Sequence, residues 1–153
     1  MQTLTVTALN GLSYAFILFL LASGFSLTFG VMGVINLGHG ALYMLGAYFG
    51  LEVIARVGGF WLGIVAAAIG LAVVGFLLYF FFLRHLYGEI PLQAVLTLGV
   101  SMIIANTVLW IWGPFARMGQ TPSGLTGVIR VGSLAFPIYR VFLVGAGLVV
   151  LIV

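Results

Sequence analysis

Long apolar runs, rather than an alternation of apolar and polar positions, organise this chain. Residues 1–51 hold no formal charge, and neither do 57–83, 90–116 or 141–153. A helix needs about 20 apolar residues to cross roughly 30 Å of hydrocarbon, and every stretch but the last reaches that length. Only helices and closed barrels satisfy their backbone in lipid, and barrel strands alternate apolar with polar positions. Continuous runs therefore predict an all-α, polytopic transmembrane bundle. The expected spans are 11–29, 41–57, 60–83, 92–112 and a fifth that opens at Ile138 and is still apolar at Val153. They form one transmembrane domain over 1–153, read here as the N-terminal part of a longer protein because nothing closes the last run.

The breaks between runs have their own chemistry. "GVMGVINLGHG" (30–40) separates the first two spans, with a broken or re-entrant segment as one possibility there. Gly58-Gly59 separates the second from the third. The turn "RHLYGEIP" (84–91) holds Arg84, His85 and Glu89, and Pro91 suits the first turn of a helix. Gly113-Pro114 stops the fourth span, and a Gly/Pro-rich connection runs to Pro137. The first span is no secretory signal, since it lacks a positive leading region and further spans come directly after it.

Composition excludes a soluble domain. The chain is 64% hydrophobic and 5% charged, with a mean hydropathy of +1.36, whereas globular proteins are about half apolar and a quarter charged. Five arginines oppose Glu52 and Glu89, and lysine, aspartate and cysteine are absent. That removes a Walker loop, a Ser-His-Asp triad, a thiol nucleophile and a thiolate metal site. No metal site and no catalytic residue are expected. Arg56, Arg84, Arg117, Arg130 and Arg140 lie singly, which excludes a nucleic-acid footprint. Counted over the loops they favour a cytoplasmic N-terminus, while the short 84–91 turn reads more as an internal loop than the 113–137 connection does. Both orientations stay open.

Small residues recur at every fourth position: Gly46 and Gly50, Gly59, Gly63 and Ala67, Ala66 and Gly70. Such faces let helix backbones approach closely in lipid, so Gly46, Gly50, Gly59 and Gly63 are assigned to helix packing, with Asn106 joining neighbouring helices. Trp61, Trp110 and Trp112 read as interface anchors, and Glu52 and Arg56 pair at i, i+4. The 30–50 stretch differs in holding Asn36 and His39 among glycines. One reading is a tight turn at headgroup level; the other is a broken helix lining a cavity, with free N–H groups and a positive dipole end toward a solute. Gly99-Val100-Ser101 with His39 as base would make an intramembrane serine hydrolase, for which no oxyanion donors stand out. A secondary carrier needs a midplane coupling residue, and the two carboxylates sit near span ends.

At residues 30–50 the sequence resembles the membrane-spanning permease subunits of ABC importers for branched-chain amino acids, a group that includes urea and short-amide permeases. The resemblance rests on Gly33-Val34-Ile35-Asn36-Leu37-Gly38-His39-Gly40 and on Met44-Leu45-Gly46-Ala47-Tyr48. Residues 10–30 and 94–113 are also similar in character to that family's helices. Leu37-Gly38 stands where Phe-Ala is usual. The resemblance implies a subunit lining a translocation path, with Asn36, Gly38, His39, Gly40 and Tyr43 along it. It also implies a second permease subunit, two cytoplasmic ATPase subunits that bind ATP, and a periplasmic solute-binding protein. No cofactor is expected in this chain, which would sit among the lipids of a bacterial-type inner membrane.

Overall fold

The computed structural model describes residues 2–115, 117, 119, 125–131 and 134–152. Parts of the expected 113–137 connection, and Val153 at the end of the last apolar run, lie outside the described residues. Five α-helices account for most of the chain: α1 (Gln2–Met32), α2 (His39–Val57), α3 (Phe60–Phe81), α4 (Ile90–Trp112) and α5 (Ile138–Ile152). Four of them contain stretches long and apolar enough to cross a membrane, while α5 is a shorter apolar helix of 15 residues. The all-α reading holds with one small addition. β1 (Val128–Val131) and β2 (Leu134–Pro137) form an antiparallel hairpin with Val128 opposite Pro137 and Val131 opposite Leu134.

Helix ends fall close to where the breaks predict them. Gly58 closes α2 in the left-handed region at φ 79°, donating its N–H to the Ile54 carbonyl, a conformation that costs glycine nothing. Pro91 occupies the first turn of α4. Five boundaries differ from expectation. Three of them move outward by two or three residues: α1 ends at Met32, α2 starts at His39 and α4 at Ile90. The helix α1 begins at Gln2 rather than Gly11 and so takes in the polar opening, and α3 ends at Phe81, with a 3-10 turn over Leu83–Leu86 after it.

The chain falls into two compact units, Met1–Gly24 with Gln120–Val153, and Phe25–Gly119. Within the first, Gly147 of α5 packs against the Phe16 ring of α1 so closely that no side chain fits there. Within the second, α2 and α3 run antiparallel and α2 and α4 run parallel. A core of Leu45, Ile104 and Val108 joins α2 to α4, with Leu71 and Val74 of α3 packed on it.

Two polar ties flank that core. At one end Glu52 of α2 collects four donors. Arg56 Nε and Nη2 both lie 2.8 Å from Oε1, while Trp112 Nε1 at 3.0 Å and Arg117 Nη1 at 2.8 Å reach Oε2. The Trp112 indole also packs on Tyr48 and Phe49, with centroids 5.2 and 6.4 Å away. Glu52 therefore binds the last turn of α4 as well as its i+4 partner, and Trp112 is a packing residue rather than a free interface anchor. Trp110, 89% exposed, keeps the anchor's position. The other tie forms the candidate site.

The α2–α3 contact is set by glycine. A Cβ on Gly63 would stand 2.9 Å from the Gly50 carbonyl, and one on Gly50 would stand 3.3 Å from that of Gly63. Gly46 faces Leu71 in the same groove, whereas Gly59 precedes α3 and meets only Leu62 of its own helix. Replacing Gly63 by leucine should force the helices apart, at a cost of about 1–3 kcal/mol. The thermal midpoint of the detergent-solubilised protein should fall in Gly63→Leu and hold or rise in Gly99→Ala, whose Cβ position is open. An unchanged midpoint in Gly63→Leu would contradict this close approach.

Candidate functional site: an open segment clamped against a helix

Between α1 and α2 the backbone leaves the helix for residues 33–38 only. Gly33 makes the exit at φ 63°, its N–H still bonded to the Phe29 carbonyl at 2.9 Å. Alternate residues of the segment beyond it are buried, Val34 at 2% and Asn36 at 8% exposed, while Leu37 is 47% exposed. Buried amides outside a helix need other acceptors, particularly in lipid.

Side chains supply them. Gln93 Oε1 accepts the Ile35 N–H at 3.1 Å, and Thr97 Oγ1 accepts the Leu37 N–H at 3.0 Å. Gln93 and Thr97 are one helical turn apart, about 6 Å along the axis. Two residues of open chain span at most about 7 Å, so the two acceptors meet alternate amides. Gln93, completely buried, also donates Nε2 to the Leu86 carbonyl at 2.8 Å and so fastens the 3-10 turn to the same point. The Thr97 hydroxyl proton stays on its own helix, within reach of Gln93 O at 2.8 Å and Ala94 O at 3.1 Å.

Asn36 closes the segment. Its Oδ1 accepts the Gly38 N–H at 3.0 Å, and its main-chain carbonyl accepts the His39 N–H at 3.2 Å. This Asx-type turn starts α2. The amide's two N–H donors are not used by the turn. Gly38 lies so close to α4 that a Cβ there would stand 2.7 Å from the Thr97 carbonyl. Glycine at this position therefore permits the close approach of this segment to α4.

Thr97 is seven residues into α4, about 10 Å along the helix. The 23 residues of α4 span about 35 Å, against roughly 30 Å of hydrocarbon. With that helix along the membrane normal, the start of α2 lies inside the apolar layer.

Next to the segment lies a groove of about 500 Å³ bordered by the end of α1, α2 and α3. Asn36, His39 and Tyr43 line it together with Thr28 and Tyr79, and its remaining lining is apolar. The structure thus brings three of the five expected path residues to one cavity. Gly38 borders instead a smaller, 40 Å³ cavity shared with Thr97 and Val100, and Gly40 lines neither. The His39 ring meets Phe25 edge-on at 6.2 Å between centroids.

The polar residues that sequence pattern singled out on α4 act differently. Ser101 Oγ donates to Leu98 O at 2.7 Å, Asn106 Nδ2 to Met102 O at 2.8 Å, and Thr107 Oγ1 to Ile103 O at 2.7 Å. Each satisfies itself on its own helix. Asn106 is exposed and joins no neighbouring helix among the described residues, because the buried stripe of α4 runs through Gln93, Thr97, Ile104 and Val108. Sequence reasoning missed Gln93 and Thr97, although their i, i+4 spacing continues that apolar stripe. No cluster of metal-ligating side chains occurs among the described residues.

The chain is similar in sequence to known proteins. A family model described as "Branched-chain amino acid transport system / permease component" matches residues 7–153. The chain is also similar to the high-affinity branched-chain amino acid transport system permease protein LivH of Salmonella typhimurium and to that of Salmonella typhi, each 27% identical over 134 residues. Those alignments cover 81% of this chain and 43% of each relative, so the chain spans less than half the length of the curated relatives it matches. No solved structure matches it. With four helices able to cross a bilayer, this is a multi-pass membrane protein, and it belongs to the family of branched-chain amino acid transport permease components.

Proposed function

We propose that the whole protein is the membrane-spanning permease subunit of an ATP-driven importer, forming a route for branched-chain amino acids or related small amides. The observation that carries this reading is the buried open segment beside a groove lined by Asn36, His39 and Tyr43. Among the described residues no formally charged one lines the groove, which suits a solute without net charge, since an isolated charge is costly there. Asn36 offers N–H donors, and the first turn of α2 adds its positive dipole end, both suited to a carboxylate or carbonyl. The aliphatic lining suits a branched side chain.

In this reading the subunit is no enzyme. ATP is hydrolysed on two cytoplasmic ATPase subunits, a second permease subunit completes the path, and a periplasmic binding protein delivers the solute. The complex resides in the cytoplasmic (inner) membrane of a bacterial cell. Membership of the permease family and the relatives' printed role support these assignments.

Uptake of labelled leucine by the full-length protein with its partners should fall about tenfold in Asn36→Leu and in His39→Leu, the size expected for losing one polar contact to a charged group. Normal uptake with normal assembly in both variants would remove these residues from the route. Energy coupling is a separate test. Uptake should stop when ATP is depleted and persist when the proton gradient is collapsed; the reverse pattern would identify an ion-coupled carrier.

A further inference from the structure

Gln93 and Thr97 do not line the groove of Asn36, His39 and Tyr43, yet their two hydrogen bonds bracket Asn36. The clamped amides are those of Ile35 and Leu37, the residues on either side of it. Asn36 in turn holds the Gly38 and His39 amides that begin α2. A continuous series of contacts therefore runs from the face of α4, through the open segment, to the side chains at the groove. Gly33, in the left-handed region at φ 63°, gives the segment a swivel at its α1 end. The tight approach of Gly38 to the Thr97 carbonyl leaves little slack at the other.

We propose that Gln93 and Thr97 are positioning residues for the solute route: by keeping 33–38 out of the helix and fixed to α4, they set where Asn36 and His39 stand in the groove. A displacement of α4 along its axis then carries Asn36 with it, which makes the clamp the link between helix movement and the polar lining. The inference rests on the route proposed for the whole protein, but the clamp itself has a readout of its own.

Thr97→Val keeps the branched shape and removes the acceptor, while Thr97→Ser keeps the hydroxyl. In the full-length protein, the Leu37 amide should exchange with solvent about fivefold faster in Thr97→Val, as for one hydrogen bond lost, and at the original rate in Thr97→Ser. Uptake per assembled complex should drop by a similar factor in Thr97→Val and in Gln93→Met, with Thr97→Ser retaining most of it. Added to Asn36→Leu, Thr97→Val should cause little further loss, because both act on the same group. Unchanged Leu37 exchange in Thr97→Val would overturn the clamp whatever uptake does. Faster exchange with undiminished uptake, or a loss that multiplies in full on Asn36→Leu, would overturn the positioning role. Normal uptake in both Asn36→Leu and His39→Leu removes these residues from the route, and is told apart by an exchange result that still stands.

Discussion

A partly buried backbone that leaves the helix finds its hydrogen bonds among side chains, and in this protein that constraint organises the second unit. Residues 33–38 are short, partly buried and flanked by full helices, and beyond Gly33 the amides of Ile35, Leu37 and Gly38 have no helical ladder. Gln93, Thr97 and Asn36 supply acceptors. An unmet buried donor costs roughly 1–3 kcal/mol, a large fraction of a typical domain's stability. The register of α4 against the α1–α2 connection is therefore set by polar pairing, and the apolar contacts of Leu45, Ile104 and Val108 are fixed along with it.

At the opposite end of the same helices the tie is ionic. Glu52 joins Arg56, Arg117 and Trp112 where the chain emerges from its apolar stretch. Exposed ion pairs of this kind contribute little individually, and Arg56 is largely exposed. What Glu52 adds is geometry, since one carboxylate holds the last turns of α2 and α4 together and orients an indole against Tyr48 and Phe49. Between the two ties, α3 approaches α2 through Gly50 and Gly63, where lipid offers no hydrophobic drive and close backbone contact must serve instead.

The groove inherits its character from this arrangement. Two of its polar members, Asn36 and His39, lie at or just after the open segment, and most of its apolar members come from α2 and α3. The same clamp that satisfies the backbone also places those polar groups, so stability and the proposed route share their residues.

Charge-free runs and their glycine and proline breaks determined the class of this protein, a bundle of membrane helices, and where the chain breaks between them. Composition alone excluded most catalysis, and the Asn36–His39 stretch marked itself by being polar within an otherwise chargeless region. Gln93 and Thr97 were present in the sequence as an i, i+4 pair on an apolar stripe, but a lone glutamine in an apolar run does not announce its partner. Ser101, Asn106 and Thr107 looked equally polar and satisfied themselves on their own helix. Only the tertiary structure decided among them, because the need each side chain meets belongs to a segment some 60 residues away. Hydrophobic periodicity reports which face a residue occupies, whereas hydrogen-bond demand is created by the neighbour that packing brings to that face.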